Sequence, residues 1–335
     1  MNASSQAAEN AATPLLSVRD LTVHFRSRAG LVTAVDRVSF DLRAGEILAL
    51  VGESGCGKST TALALLRLIA DPPGRVARGE VRFRGRDLMR ASETEIREVR
   101  GNRIAMIFQD PMSSLNPVYT IGRQLSEPLE LHAHLRGESL LEKCVALLES
   151  VNISEARRRR WSYPFEFSGG MQQRVMIAMG MGCEPDIIIA DEPTTALDVT
   201  IQAQLLELLQ AQVALHRTAL LLITHNLGIV ARYADRVNVM YAGRIVESAS
   251  ADAIFAAARH PYTIGLMRCV PRLDRPASQK LAPIEGQPPD ALNPPRGCAF
   301  HPRCPFAIDK CREEAPALTP VADDHLAACW VNARG

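Results

Sequence analysis

The chain has 335 residues, enough for about two domains of ordinary size, each with a hydrophobic core of its own. Apolar residues make up 47% of the chain and charged residues 22%, a globular composition that excludes a disordered or fibrous protein. The 38 lysines and arginines balance the 37 aspartates and glutamates to a formal net charge of +1, so no global basic field is available to hold a nucleic acid or an anionic membrane.

The beginning of the chain predicts neither a secretion signal nor a membrane anchor. Residues 1–13 are rich in Ala, Ser and Asn and lack a basic segment followed by an apolar one, so we expect a disordered leader. No stretch of the chain approaches the ~18 apolar residues of a membrane span. These features favour a cytosolic location, where thiols stay reduced, and the eight cysteines then favour metal binding over disulfides.

Apolar patterning next predicts an α/β domain. Apolar residues nearly alternate over 16–25 and 35–40, which is typical of antiparallel strands. Continuous apolar runs over short stretches indicate buried strands of a parallel sheet, with helices between them. The buried strands are predicted at 47–51, 187–190 and 219–224, and helices at 60–69 and 201–214.

Two further regions interrupt or follow this core. Between residues 121 and 181 the pattern is helical, so we expect an all-helical insertion. From residue 260 onward prolines are frequent, which predicts a loop-rich extension. The resulting domain scheme is a leader at 1–13, a main domain at 14–259 with the helical insertion, and an extension at 260–335.

A glycine-rich motif follows the first buried strand. The sequence from Gly52 to Ser59, GESGCGKS, matches G-x-x-x-x-G-K-[ST] and lies between a strand and a helix. Such a loop turns its backbone N–H groups towards phosphate, Lys58 reaches the β- and γ-phosphates, and the Ser59 hydroxyl binds Mg²⁺. The simple alternative, a tight glycine turn, does not explain the lysine and serine. The predicted nucleotide-binding residues here are Gly52, Ser54, Gly55, Cys56, Gly57, Lys58, Ser59 and Thr60.

A second buried strand ends in two carboxylates, Asp191 and Glu192. Ligands of open α/β sheets bind at the carboxyl ends of the strands. We therefore predict that Asp191 holds Mg²⁺ and that Glu192 deprotonates or orients the attacking water. A solvated acidic turn is the alternative, and it would be the better one without the phosphate loop upstream.

The segment from Ser168 to Gly170 opens an apolar helix and offers a serine and free backbone N–H groups to a second phosphate. This segment resembles the signature motif of ATP-binding cassette (ABC) ATPases, and the order and spacing of motifs agree over residues 15–255. The resemblance implies a P-loop cassette with a RecA-like parallel core, an antiparallel β subdomain and a helical subdomain. It also implies that two cassettes pair head to tail, with ATP between the phosphate loop of one and the signature of the other.

The same resemblance assigns roles to single residues. Gln109 would sense Mg²⁺ and the attacking water, Asp198 would lie in the loop at the cassette interface, and His225 would contact the γ-phosphate. Taken alone, Gln109 is only a loop amide and His225 only a histidine after a strand. Phe25 corresponds either to the aromatic residue that stacks on adenine or to a core position of its strand.

The chain further resembles the D-type ATPase subunit of dipeptide and oligopeptide permeases, over nearly its whole length beyond the leader. Residues 106–117, 191–198 and 260–263 carry this narrower resemblance. Met171 departs from the Gln common in the signature, and 181–183 is less rich in small residues than usual. The implied partners are a second, F-type ATPase subunit, two membrane permease subunits and, indirectly, a periplasmic or extracellular substrate-binding protein. Nucleic acid is not among them. The chain itself would lie peripherally on the cytoplasmic face of the inner membrane.

Half of the cysteines lie after residue 297, with irregular spacing. Zinc ribbons prefer paired C-x2-C knuckles, so Zn²⁺ remains possible without being indicated, whereas a [4Fe–4S] cluster tolerates irregular loops. The end of the C-terminal extension, called the tail below, resembles the tail that carries a [4Fe–4S] cluster in this permease branch. A structural cluster would also stabilise a tail with few apolar runs. The predicted ligands are Cys298, Cys304, Cys311 and Cys329, with His301 and His325 as spare ligands or plain polar residues.

The function expected from these features is ATP hydrolysis coupled to uptake of peptides or related solutes through membrane subunits. A soluble ABC ATPase with an iron–sulfur cluster, acting on ribosomes or nucleic acid, is the alternative. A non-hydrolysing regulatory cassette is a third, although Glu192 and His225 are both present. The transported solute is not encoded in the chain and could be a dipeptide, a longer peptide, a nickel chelate or glutathione.

Overall fold

The structure, a computed structural model, describes residues 13–195, 198–269 and 283–331. The predicted leader, except Thr13, lies outside these residues. The strands are β1 Leu16–Ser27, β2 Gly30–Leu42, β3 Ile47–Val51, β4 Gly74–Phe83, β5 Arg86–Asp87, β6 Ile104–Ile107, β7 Ile187–Asp191, β8 Ala219–Thr224, β9 Arg236–Tyr241, β10 Arg244–Ser250, β11 Thr319–Ala322 and β12 His325–Ala327.

Helices alternate with these strands. They are α1 Lys58–Leu65, α2 Glu93–Val99, α3 Pro111–Ser114, α4 Ile121–His132, α5 Gly137–Ser150, α6 Ala156–Arg159, α7 Gly169–Met181, α8 Val199–His216, α9 Leu227–Tyr233, α10 Ala251–Ala257, α11 Pro261–Arg268 and α12 Asp309–Glu313. Two short 3-10 turns lie at Pro164–Glu166 and His301–Arg303. Within the described residues, no helix is long and apolar enough to span a bilayer.

The chain forms two compact units. Of the described residues, 13–14, 42–47 and 90–223 belong to the first unit, and 15–41, 48–89 and 224–331 to the second.

The first unit contains a parallel sheet in which β7 pairs with β6 on one side and with β8 on the other. Every residue of β7 and β8 is buried, as expected of parallel strands that are covered on both faces. Residues 121–181, all of them described, contain helices and no strand. Helices α4, α5 and α7 pack against one another through apolar faces. This stretch of the described chain is therefore helical.

The second unit contains two sheets. One is antiparallel, in the order β2-β1-β4-β5, and its first two strands are those that the alternating pattern predicted. In the other, β3 and β9 are parallel, β10 is antiparallel to β9, and β12 lies between β10 and β11. The phosphate loop follows β3 and leads directly into α1.

Two predictions about local structure are wrong in part. Helix α1 begins at Lys58 and ends at Leu65, whereas the sequence predicted 60–69. It ends early because the chain turns into the left-handed region at Arg67, with φ of 52°. The C-terminal extension is also more regular than its prolines suggested, since it begins with α11 and contributes β11 and β12.

The tail also adds to the core, against the argument that it has too few apolar residues to build one. Phe300 is 2% exposed and packs with Tyr241 and Tyr262 in the core of the second unit. Ala327 is 1% exposed where β12 pairs with β10. A bound metal is therefore not needed to explain why the described part of the tail is folded.

Candidate functional site

The phosphate loop requires glycine at two positions because of close backbone approaches. Gly52 has φ of 156°, and a Cβ there would lie 2.2 Å from the Met240 carbonyl oxygen. Gly57 has φ of 105°, and a Cβ there would lie 2.3 Å from the Ala34 carbonyl oxygen. Only glycine fits such positions, so the loop's glycines are set by geometry as well as by any ligand. Gly57 is also the N-cap residue of α1, which begins at Lys58.

Lys58 is 5% exposed and lies inside the loop. Its ammonium group donates to the carbonyl oxygens of Gly52, at 2.8 Å, and of Glu53, at 2.9 Å. Ser54 and Gly55 are exposed at the tip of the loop, Ser59 is exposed and Thr60 is half-buried on the first turn of α1. The loop therefore concentrates a buried cation and a helix N-terminus at one point, an arrangement that suits an anion.

The surroundings of Cys56 disfavour its thiolate. Lys58 and the inward N–H groups of the loop would on their own favour the Cys56 thiolate and raise its reactivity. In the structure Cys56 is 7% exposed, and burial raises the pKa of its thiol, outweighing the opposing effect of Lys58, whose Nζ lies 3.8 Å from the sulfur. Desolvation therefore outweighs the nearby positive charge and favours the protonated thiol.

In the first unit, β7 ends at Asp191, which is 5% exposed, and Glu192 follows in the left-handed conformation with φ of 47°. Hydrogen bonds hold both the backbone and the side chain of Glu192. Its backbone N–H donates to the Ile223 carbonyl at 2.9 Å, and its Oε2 accepts from Gln109 Nε2 at 3.1 Å and from Thr195 Oγ1 at 2.9 Å. The structure thus brings together Gln109 and Glu192, which the sequence predicted separately.

Thr195 is a partner of Glu192 that the sequence analysis did not identify. Its position three residues after the carboxylate was a usable signal, because Ser and Thr hydroxyls commonly bond to groups two to four residues away. The hydroxyl and the Gln109 amide together fix the orientation of the Glu192 side chain.

The predicted signature residues lie at the start of α7 in the first unit. Ser168 is the N-cap of this helix and accepts from the Met171 N–H at 3.4 Å. A Cβ at Gly169 would meet nothing within 4 Å, whereas one at Gly170 would lie 3.0 Å from Ile201 Cγ2. Asp198 is the N-cap of α8 and accepts from the Ile201 N–H at 2.9 Å. Ser168 and Asp198 therefore both have structural roles as helix caps, and Ala196 and Leu197 of the motif lie outside the described residues.

His225 and Phe25 belong to the second unit. His225 is exposed directly after β8, and the next residue, Asn226, caps α9 by accepting from the N–H groups of Gly228 and Ile229. Phe25 is half-buried near the end of β1, opposite Gly74 on β4. A Cβ at Gly74 would lie 2.6 Å from the Phe25 ring, so the ring covers this glycine.

The four tail cysteines lie around one small cavity of the second unit, with Phe300, Phe306 and Trp330. Burial raises the pKa of the Cys298 and Cys304 thiols, and that of Cys329 to about 11. Across 13–195, 198–269 and 283–331, no group of three or more His, Cys, Asp or Glu side chains is arranged to hold a metal ion. The four thiols are nonetheless the donors that a thiolate-bound metal requires, and they line the same cavity.

The two tail histidines have separate partners. His325 is buried, and its Nε2 lies 2.7 Å from Oε1 of Glu247, a residue of β10 with no exposed surface. Glu247 also accepts from the backbone N–H groups of Arg259 and His260. His301 Nδ1 lies 3.0 Å from the Cys298 carbonyl oxygen. His325 thus ties β12 to β10, and His301 stays beside the cysteines.

A second cavity, in the first unit, is an open groove of about 630 Å³. Apolar side chains dominate its walls, and Phe108 and Leu131 remain 39% and 65% exposed. Met112 on α3 is exposed as well, and so are Val118 and Tyr119 between α3 and α4. An exposed apolar patch of this kind marks an interaction surface. No local pattern in the sequence indicates this groove, because residues distant in sequence form it.

Comparisons with known proteins agree with this geometry. Residues 35–195 match a family described as ABC transporter, and residues 246–311 match one described as oligopeptide/dipeptide transporter, C-terminal region.

Curated relatives align along almost the whole chain. The oligopeptide transport ATP-binding protein OppD of Bacillus subtilis is 49% identical over 95% of this chain and 89% of its own. The dipeptide transport ATP-binding protein DppD of the same organism is 48% identical, over 95% and 94%. OppD of Haemophilus influenzae is 48% identical, over 96% and 98%.

Solved structures show the same fold. A dimeric ATP-binding cassette, MJ0796, in a post-hydrolysis state bound to ADP and Pi, has a TM-score of 0.63 at 24% identity and covers 70% of this chain and 98% of its own. CbiO1 of Clostridium perfringens, part of an ABC transporter complex, has a TM-score of 0.61 at 24% identity, with coverage of 73% and 91%.

These findings confirm the cassette fold, and membership of the ABC ATPases implies ATP and Mg²⁺ as ligands and membrane permease subunits as partners. They give no support to the alternative that acts on ribosomes or nucleic acid. The chain belongs to the ATP-binding subunits of peptide ABC transporters, and it is the ATP-hydrolysing subunit of a peptide importer.

Proposed function

We propose the following roles for individual residues in ATP hydrolysis by this chain. The backbone N–H groups of 52–60 bind the phosphates, and Lys58 leaves its carbonyl partners in the loop to contact the β- and γ-phosphates. Charge on the leaving phosphate is thereby neutralised where it develops. The burial of Lys58 inside a glycine loop supports this role, since a buried cation requires a compensating anion.

Glu192 is the proposed general base, and the hydrogen bonds to its Oε2 carry this proposal. Gln109 and Thr195 donate to one carboxylate oxygen and so hold the side chain in one orientation. The carboxylate takes a proton from the attacking water as the oxygen bonds to the γ-phosphorus and the bond to ADP breaks. His225 is proposed to contact the γ-phosphate, and Phe25 to stack on adenine.

The proposed Mg²⁺ ligands are Ser59, Asp191 and Gln109. A hydroxyl, a carboxylate and an amide oxygen are the hard donors that Mg²⁺ prefers. The Gln109 side chain suits this role because its nitrogen donates to Glu192, so its carbonyl oxygen is the ligand atom. When bound, the ion would neutralise charge on the phosphates.

We propose that a second cassette completes each ATP site, and that this partner is an F-type ATPase subunit. Ser168, Gly169 and Gly170 of this chain would then bind the γ-phosphate held by the partner, with Asp198 at the interface. The open space at Gly169 supports this, because a phosphate can approach the helix N-terminus of α7 there. The proposed domain bounds are 14–259 for the cassette and 260–335 for the extension.

The apolar groove lined by Phe108 and Leu131 is the proposed docking site for a permease subunit. It lies beside Gln109, so a shift of the docked segment would reach a residue that contacts Glu192. The subunit is proposed to lie on the cytoplasmic face of the inner membrane, bound only through the permease, with a substrate-binding protein on the other side. Those partners would select the solute.

For the tail, we propose a [4Fe–4S] cluster bound by Cys298, Cys304, Cys311 and Cys329, with Zn²⁺ as the alternative. Four thiols around one cavity support it. The raised pKa values of three of them mean that metal binding must release protons.

Protein purified anaerobically should be brown, with about four irons per chain, and a serine at any of the four positions should abolish the colour. Colourless protein with one zinc would establish the alternative, and metal-free protein would refute both.

Docking is tested with one matched pair of variants. Leu131→Asp places a charge in the groove and should abolish co-purification with the permease subunits while ATP binding by the purified subunit is unchanged. Leu215→Asp adds the same charge at a leucine of the first unit that is 72% exposed on α8, away from the groove residues. Normal assembly by Leu131→Asp, or equal loss of assembly in both variants, would exclude the groove as the docking site.

A further inference from the structure

Arg303, in the C-terminal tail, reaches the phosphate loop across 250 positions of sequence. Its guanidinium group forms a two-pronged ion pair with Glu53, the second residue of the loop: Nη1 donates to Oε2 at 2.8 Å and Nη2 to Oε1 at 3.0 Å. This parallel geometry is the strongest that arginine forms with a carboxylate. The Arg303 side chain is 4% exposed and that of Glu53 27%, so solvent screens the pair only weakly.

Every donor of Arg303 is used. Besides Glu53, Nε donates to the Glu285 carbonyl at 3.0 Å, Nη2 to the Ile284 carbonyl at 3.3 Å and Nη1 to the Tyr241 hydroxyl at 3.4 Å. The guanidinium carbon also lies 5.9 Å from the ring centroids of Tyr241 and Phe300. A side chain fixed at this many points has little freedom to move, so its position is determined by the tail.

The loop is held at a second point. The backbone N–H of Glu53 donates to the hydroxyl of Tyr262 at 2.8 Å, and Tyr262 is fully buried on α11. The extension therefore holds both the backbone and the carboxylate of one loop residue. The carbonyl oxygen of that residue accepts from Lys58, so the brace and the phosphate-binding lysine meet at Glu53.

We infer that the C-terminal extension is an internal brace of the phosphate loop, and that Arg303 is the positioning residue through which it acts. By fixing Glu53, it keeps the loop in one conformation before ATP binds. Preorganisation of this kind raises affinity by removing the cost of ordering the loop.

The inference rests on ATP binding by the loop and is tested by the affinity of the intact subunit for ATP and by steady-state kinetics of the assembled transporter. Arg303→Ala should raise the Kd and KM for ATP by about tenfold, the order expected for loss of a charge-assisted bidentate pair, with kcat changed less than about threefold. Arg303→Lys keeps the positive charge but cannot form the bidentate ion pair. Its Kd and KM for ATP should lie between those of the wild type and Arg303→Ala. Arg312→Ala, at an exposed tail arginine, is the control and should match the wild type.

Glu53→Gln keeps the size of the loop residue and removes the charge, so it tests the pair even where Arg303→Ala fails to fold. It should raise the KM for ATP to a similar degree. The KM of the double variant should be no higher than that of the more impaired single variant. Additive effects, or an unchanged KM in folded Arg303→Ala protein, would overturn the brace. Wild-type protein that bound no ATP would instead refute the loop as the nucleotide site.

Discussion

Gln109 Nε2 donates to Glu192 Oε2 at 3.1 Å, which joins a loop residue after β6 to a residue at the end of β7. Because β6 and β7 are adjacent parallel strands, their carboxyl ends lie side by side. A residue proposed as a Mg²⁺ ligand is thereby in direct contact with the proposed base. Movement of the Gln109 segment must alter the orientation of the Glu192 carboxylate or break this hydrogen bond.

Glu192→Gln should keep ATP binding and lose hydrolysis by ~10²- to 10⁴-fold, because a general base contributes about that much to the rate. The measurement is phosphate release by the assembled transporter, with ATP affinity of the subunit determined separately. Glu184→Gln is the control: Glu184 pairs on the surface with Lys143, at 2.9 Å, and the change should leave turnover as it is. Near wild-type turnover by Glu192→Gln would exclude Glu192 as the base.

Lys58→Ala should weaken nucleotide binding itself, by about 10- to 100-fold, since it removes the charge that contacts the phosphates. The assay is ATP binding by the purified subunit. Lys143→Ala removes a lysine from a surface ion pair of the first unit and serves as the comparison, with affinity expected to stay at the wild-type value. Equal affinity of Lys58→Ala and the wild type would contradict the role of Lys58.

Cys56 should be labelled slowly by a maleimide in the folded protein, with a rate that rises at higher pH than in the urea-unfolded chain. The thiolate is the reacting species, and burial raises the pKa of Cys56, so less thiolate is present at neutral pH when the protein is folded. Mass spectrometry of the peptide that contains Cys56 measures the rate at each pH. A folded-state curve displaced to lower pH would restore the activated thiol that the structure argues against.

Gly57→Ala should destabilise the subunit more than Gly55→Ala, measured by urea unfolding without nucleotide. Both glycines have positive φ, 105° and 78°, so either alanine is strained by about 1 kcal/mol. At Gly57 the added Cβ would also collide with the Ala34 carbonyl, whereas at Gly55 it meets nothing within 4 Å. We expect a further loss of about 1–3 kcal/mol at Gly57. Equal losses would mean that the loop readily moves away from Ala34.

His325→Ala should destabilise the second unit by about 3 kcal/mol and make the tail sensitive to protease, since it leaves the carboxylate of Glu247 buried with one partner fewer. His325→Gln retains a side-chain N–H donor and should lose less. Urea unfolding and limited proteolysis provide the readouts. A tail that is equally resistant in His325→Ala and the wild type would show that β12 is held by other contacts.

Much of the core was predictable because buried parallel strands leave a strong signal. The strand at residues 47–51 was predicted with its observed limits, and so was the strand at 219–224. The phosphate loop was predictable because its glycines, Lys58 and Ser59 have fixed spacing in the chain. Local rules of this kind need no knowledge of distant residues.

What the sequence did not indicate depends on contacts between distant residues. The contribution of Phe300 to the core requires Tyr241 and Tyr262, which lie far upstream. The raised pKa of Cys56 follows from burial, whereas the sequence showed only its neighbour Lys58. The bidentate contact between Glu53 and Arg303 has no local signal at all.

The pairing of β12 with β10 has a consequence for solubility. An unpaired strand edge offers free N–H and C=O groups to other chains, and β10, with five consecutive buried residues, would be such an edge if the chain ended before the tail. The last strand of this sheet is instead β11, which is exposed, contains Pro320 and is followed by Asp323 and Asp324. Proline and negative charge both oppose further pairing. A subunit truncated at residue 300 should therefore aggregate, even though its nucleotide-binding motifs remain complete.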